Sequence, residues 1–349
     1  MISDEREDKM SGSGMAGYAA CQGKFQLEKT CPKDKGSVYA EMGNRIHAHL
    51  DDPSIVLNEE EQHIAERCWE EYQKILETLP MWHPESVTTE KRLWYGDQWS
   101  GQIDRIDHHG DTAVVIDWKT GRNPQGSAES NLQLRAYAVL VKKNLPYLKK
   151  IYVAIVQPMA APYTIAEYDE ADLAAADEQI QGIVAAALEP NAPRTPSPDA
   201  CRYCRAKAIC PEAQGEAAAL AEVKADIIPT LTNDQVAGFL EKATIVEAFI
   251  ESLRDEARKR LKDGAEIAGY KLTAGRTSRS IECPVEALER LGINPDQFLS
   301  ACKVSVPSLE KVFAAANDIK PKEAKAMMEE MLGDVLVSKT GEPIMTRAK

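Results

Sequence analysis

Two acids and an amine pose the first question. The run Gly101-Gln-Ile-Asp104 is followed by Val114-Val-Ile-Asp117-Trp-Lys119-Thr-Gly121, which places carboxylates and an ammonium among β-branched residues. Side chains alternate faces along a strand, so Asp117 and Lys119 project to one side while Ile116 and Trp118 project to the other. If the strand carrying Asp104 pairs beside them, two carboxylates converge, and like charges held together without a partner are costly. A divalent cation removes that cost. Hard carboxylate oxygens suit Mg²⁺ or Mn²⁺, which fill their remaining positions with water and substrate phosphate. The expected chemistry is hydrolysis, with the cation activating water and Lys119 orienting it or stabilising the developing oxyanion. A lone Asp-x-Lys triplet carries little, because acids and bases alternate on solvent-facing strands everywhere.

A second cluster is made of sulfur. Cys201-x-x-Cys204-x5-Cys210, ending in Pro211, gathers three thiols in one short loop. Thiolates so spaced bind Zn²⁺ or an iron–sulfur cluster, and both need a fourth ligand. The charged N-terminus MISDEREDKM is unlike a signal peptide and no apolar run has the ~20 residues of a membrane span, so a cytoplasmic protein without membrane contact is expected. In that reducing compartment the eight cysteines are expected to be thiols or metal ligands rather than disulfides.

The elements that must position these residues follow from periodicity. Short helices are expected at 11–27 and 43–50. Ile64, Cys68, Tyr72 and Ile75 recur beneath many glutamates and predict an amphipathic helix over 58–79. Residues 87–95, 99–107 and 112–118 read as a three-stranded meander, with turns at Gly96-Asp97 and His109-Gly110-Asp111. A helix over 127–143 leads to a strand at 150–157 that rejoins the sheet, then an edge strand at 163–168 and a helix at 170–188. Residues 190–198 form a proline-rich linker before the cysteine loop. Beyond it come a long helix at 233–262, a β-like piece at 267–281 and short helices near 284–291, 308–315 and 322–332.

Gly43-Asn-Arg-Ile-His47, Gly101-x-x-Asp104, Asp117-x-Lys119 and Gln133-x-x-x-Tyr137 occur in that order. In this the chain resembles the RecB-like branch of the PD-(D/E)XK nucleases, including phage-encoded members, across roughly residues 15–212. The resemblance implies an α/β fold: a restriction-endonuclease-like central mixed sheet flanked by helices. It makes His47, Asp104 and Asp117 ligands of Mg²⁺ or Mn²⁺ and Lys119 the catalytic lysine. Gln133 and Tyr137, one helical turn apart, match the family's Q-x-x-x-Y element beside the active site and the DNA. In RecB-like nucleases that carry a [4Fe-4S] cluster, an upstream cysteine completes the set. Here Cys21, in Tyr18-Ala-Ala-Cys21-Gln-Gly-Lys24-Phe25, fits that pattern to join Cys201, Cys204 and Cys210, with Cys31-Pro32 as competitor and zinc as the runner-up metal.

The function so implied is a metal-dependent DNA exonuclease serving phage-style recombination or processing. A non-catalytic DNA-binding or recombination-accessory module is the competing reading, against which the intact acids and lysine speak. Charge sets a limit: 42 basic against 55 acidic residues, net −13, exclude a generally polyanion-binding surface, so any DNA contact must be local. The stretch from Lys119 to Lys150 supplies such a patch, with Glu129 its sole acid, and Arg122 and Arg135 are its candidate DNA-contacting residues. Trp94, Trp99 and Trp118 are expected in the core, His108 and His109 at the surface, and Cys68, Cys283 and Cys302 as small core residues. The expected division is a nuclease domain over 1–225 and a mainly helical region over 226–349, the latter a surface for a recombination or replication partner.

Overall fold

A computed structural model of the chain describes residues 8–32, 38–79, 83–160, 163–221, 228, 230–273, 284–291 and, beyond these, parts of 294–336. They form two compact units, Met1–Leu272 and Thr273–Lys349.

The first unit opens with β1 (Met10–Ser11), a single 3-10 turn (Gly12–Gly14), α1 (Met15–Ala20) and α2 (Lys24–Glu28). Two helices, α3 (Val38–Asp51) and α4 (Glu59–Thr78), precede the meander β2 (Ser86–Tyr95), β3 (Trp99–His109) and β4 (Thr112–Trp118). Next come α5 (Leu132–Asn144), β5 (Lys150–Val156), β6 (Thr164–Tyr168) and α6 (Glu170–Leu188). α7 (Pro198–Arg202), α8 (Pro211–Ala221) and α9 (Asn233–Lys262) complete the unit. The strands make one mixed sheet in the order β1-β3-β4-β5-β6, with β2 also paired to β3. β4 and β5 run parallel, joined through α5, while β2, β4 and β6 are antiparallel to their partners β3, β3 and β5.

β4 is apolar on both faces, as a central strand covered by helices must be. Ala113 and Val115 face α1, α5 and α6, whereas Val114, Ile116 and Trp118 face α3 and α4. Period two therefore puts Asp117 on the α5 side of the sheet. α4 buries Ile64, Cys68, Tyr72 and Ile75, each apolar side chain contributing about 1.5–3 kcal/mol. Its N-terminus is closed by a capping box in which Asn58 and Glu61 each satisfy the other's backbone N–H. Glu61 also pairs with Arg45, fastening α3 to α4 two residues before His47. Tyr72 donates to Asp107, which Arg105 holds at 3.0 Å, so α4 is pinned to β3 close to Asp104.

The mixed α/β class, the flanked central sheet and the helical C-terminal region agree with the sequence reading. Several local expectations do not. The helix expected over 11–27 breaks at Cys21, whose backbone is extended because the 190s loop docks there: Gly23 donates to the Pro193 carbonyl and Thr195 N to Cys21 Sγ. β1 is added to the sheet, and the helix expected from 127 starts at Leu132, capped by Asn131. The first compact unit runs on to Leu272, with α9 burying Ile245 against Cys201, Cys210 and Ala213. Of the β-like piece only the bridge Ile267 to Tyr270 forms, and 274–281 lies outside the described residues. Cys68 and Trp99 are fully buried and Trp118 nearly so, Trp94 is half-buried with Lys9 over its ring, and His109 is exposed. His108, expected at the surface, is half-buried against the Tyr147 ring. Cys302, expected in a core, is exposed; Cys283 lies outside the described residues.

In the second unit α10 (Pro284–Leu291), α11 (Val306–Asn317) and α12 (Pro321–Leu332) are described; α11 and α12 bury Ala314, Ala324 and Met328. Among the described residues no helix is long and apolar enough to cross a membrane.

Candidate active site

The β3–β4 ladder ends at Arg105 paired with Ile116, so Asp104 and Asp117 hold the next register position, where the strands have parted. There Asp104 Oδ2 accepts the backbone N–H of Trp118 at 2.7 Å, a side-chain bond replacing a ladder bond. The Lys119 N–H continues the parallel ladder to the Val156 carbonyl at 2.8 Å, which keeps Lys119 in strand register and on the face of Asp117. Lys119 Nζ lies 2.6 Å from Asp117 Oδ2. α5 supplies the other oxygen's partner: Gln133 Nε2 donates to Asp117 Oδ1 at 2.8 Å and to the Tyr137 hydroxyl oxygen at 2.9 Å.

Close approach of α5 to β3 depends on Gly101. A Cβ there would stand 2.8 Å from both Tyr137 Cε1 and Leu140 Cδ1. The glycine three residues before Asp104 thus makes room for the aromatic ring that backs the site.

His47 reaches the same place from α3, with Nδ1 3.5 Å from Asp104 Oδ1 and 3.8 Å from Glu90 Oε1. One atom each from His47, Glu90 and Asp104 lie within 4.8 Å of one another, the one such group of three metal-ligating residues among those described. Sequence reasoning missed Glu90. Its strand was legible, but its only signal is an acid at the register position opposite Asp104, and charged residues are ordinary on a half-exposed strand.

The electrostatics match a site built to hold positive charge. Burial pushes the Asp117 carboxyl above its ordinary range, opposed by Lys119 and reinforced by Asp104. Burial also raises Glu90, against a hydrogen bond from Gln102 and with the charge of Asp104 adding to it. For His47 and Lys119 burial acts downward but the carboxylates outweigh it, so both stand above their usual values. Tyr137 is held well up by burial and by Asp117 and Asp104, and stays a neutral phenol.

Residues 8–348 match the family model described as "Protein of unknown function (DUF2800)". The chain belongs to the DUF2800 family. No curated protein matches it. Among solved structures, this DUF2800 chain is similar to a protein of Eubacterium rectale provisionally named an exonuclease, at 14% identity and a TM-score of 0.32, covering 55% of this chain and 88% of that one. It is also similar to LHK-Exo in complex with dAMP, at 14% identity and a TM-score of 0.29, covering 52% and 87%.

The structure of this DUF2800 chain brings Cys21, Cys201, Cys204 and Cys210 onto one cavity, lined also by Lys24, Arg194 and Lys207. Cys31 is not among the residues lining it. Burial raises the thiols of Cys201 and Cys210 and takes Cys204 up to about 12. Of the two arginines, Arg122 is exposed, with Glu60 3.8 Å away. Arg135 is not brought to the site: it lies on the other side of α5, bonded to Tyr168, Gln179 and the Glu129 carbonyl.

Proposed function

We propose that this chain is a divalent-metal-dependent DNA nuclease of the RecB-like PD-(D/E)XK type, acting as an exonuclease in phage-style recombination or DNA processing in the cytoplasm. One observation carries the reading: residues from four separate elements meet at a point where two carboxylates, a lysine and a histidine share hydrogen bonds. Structural stability gains nothing from such a gathering, since buried acids side by side are a cost unless a cation joins them.

His47, Asp104 and Asp117 would hold Mg²⁺ or Mn²⁺; the donor set of hard oxygens with one imidazole fits Mn²⁺ and Mg²⁺. When bound, such a cation polarises the scissile phosphate and lowers the pKa of attacking water. Lys119 stays protonated beside Asp117 and offsets charge on the non-bridging phosphate oxygens. Gln133 and Tyr137 fix the Asp117 carboxylate in one orientation, so no reorganisation is needed during the reaction. Arg122, exposed just after β4, would meet a phosphate of the DNA.

Cys21, Cys201, Cys204 and Cys210 would hold a [4Fe-4S] cluster. The common cavity of the four thiols supports a shared metal centre, with zinc as the runner-up group. The cluster would tie the first helices to the segment after α6 and act as a cross-link over a long loop. The second unit would offer its helices to a recombination or replication protein.

The test is incubation of anaerobically purified protein with end-labelled single- and double-stranded DNA, with and without Mn²⁺, beside Asp117→Ala and Lys119→Ala. Mn²⁺-dependent loss of label in the wild type alone is the expected result. Equal cleavage by both variants sinks the assignment.

A further inference from the structure

Glu90 is the one non-glycine residue with a positive φ among those described, at +46°, and it sits in the middle of β2. An L-residue rarely adopts that conformation, and where one does the strain tends to serve a site. The β2–β3 ladder is intact on both sides, Thr89 paired with Arg105 and Lys91 with Ile103; the one missing rung is that between Glu90 and Asp104. Glycine, asparagine or aspartate would suit this backbone better.

The Glu90 carboxylate is aimed. Gln102 Nε2 donates to Glu90 Oε2 at 2.6 Å, Gln102 Oε1 accepts from Arg92 at 3.1 Å, and Arg92 also donates to Ser100 Oγ at 3.1 Å. With Oε2 so engaged, Oε1 is the oxygen that faces His47 Nδ1. Asp104 is divided in the same manner, Oδ2 on Trp118 N and Oδ1 toward His47. Among the described residues neither Glu90 nor Asp104 is ion-paired to a lysine or arginine. Asp117, by contrast, has one oxygen on Lys119 and the other on Gln133.

We infer that Glu90 is a further cation ligand, facing one hard divalent cation together with His47 and Asp104 in the site that Asp117 completes. The inference deepens the nuclease reading and rests on it for the role of the cation, though not for its binding. Glu90 and Asp104 each already have their other oxygen held by a second group, the arrangement that orients ligands in metal centres. The nitrogen–oxygen–oxygen set suits Mn²⁺ or Mg²⁺ with open positions for water and a phosphate oxygen.

The experiment is Mn²⁺ titration of the full, EDTA-stripped chain, read by the EPR signal of free Mn²⁺ and requiring no DNA. The wild type is expected to bind, and Glu90→Gln to bind at least about tenfold more weakly, the size of effect seen when ligand geometry is lost. Glu90→Gly, which takes a positive φ without strain, should keep the fold and show the same loss. Tyr72→Phe, which removes a donor from Asp107 and touches none of the ligands, should stay within about threefold of the wild type. Unchanged Mn²⁺ affinity in Glu90→Gln and Glu90→Gly overturns the inference, as does an absence of wild-type binding. A loss in Tyr72→Phe equal to that in Glu90→Gln would make the effect one of packing rather than ligation and also overturns it. If Mn²⁺ binding depends on Glu90 while the wild type cleaves neither single- nor double-stranded DNA, the ligand stands and the nuclease reading falls.

Discussion

Replacing Lys119 by Met tests the buried pair at the centre of the site. Asp117 is 2% exposed, and its two oxygens are held by Lys119 at 2.6 Å and Gln133 at 2.8 Å. Lys119→Met leaves an ionised carboxylate with one neutral donor, and breaking a buried pair from one side costs about 3–5 kcal/mol. The lower end applies, about 3 kcal/mol, because the Lys119 side chain is 27% exposed and water can enter behind it. Asp117→Asn with Lys119→Met removes both charges, so the double variant should recover about 2 kcal/mol of that loss, the coupling between them. Burial and Asp104 already hold the Asp117 carboxyl up, and losing Lys119 raises it further. An acid whose folded-state pKa exceeds its unfolded value, about 3.9, stabilises the fold fully below that value and ceases to as pH rises through the folded pKa. The deficit should therefore be slight near pH 4 and complete at pH 8 in EDTA. All five tryptophans lie between Trp69 and Trp118, within the first unit, so their fluorescence follows that unit alone in urea. With an m-value near 3 kcal/mol/M the midpoint should fall by about 1 M at pH 8. A deficit of the same size at both pH values would refute the claim that Lys119 neutralises a buried carboxylate.

Three further outcomes are expected. Gly101→Ala drives a methyl against Tyr137 and Leu140 and should cost about 1–3 kcal/mol in urea while lowering DNA cleavage, through displacement of α5 from Asp117; unchanged stability and activity would show that α5 is not seated by this contact. Tyr72→Phe removes one donor from fully buried Asp107 and should cost about 1.5–3 kcal/mol without changing Mn²⁺ affinity, read by urea unfolding and titration. Cys21→Ser should lower the iron and sulfide content of anaerobically purified protein and Cys31→Ser should not, since Cys21 alone of the two lines the cysteine cavity; iron retained in Cys21→Ser would move the fourth ligand elsewhere.

Local repetition in the sequence determined much of this protein. Period two set Asp117 and Lys119 on one face, and the four-residue step from Gln133 to Tyr137 set both on one side of α5. The apolar spacing of α4 and the length of α9 were equally plain, because each depends on neighbours within a few residues. What pairing across distance decided was not legible. The helix break at Cys21 comes from a loop more than 170 residues later, and the docking of α9 from one buried isoleucine meeting the cysteine loop. The partners of Arg135, Tyr168 and Gln179, come from the packing of α5 against β6 and α6, which no local spacing shows. Glu90 shows the limit best: its backbone conformation and its nearness to His47 arise from where β2 meets β3 and where α3 lands beside them. Short-range spacing fixes which way a side chain points from its own element, whereas the position of that element depends on burial summed over the whole core, and the cation site lies where several such positions coincide.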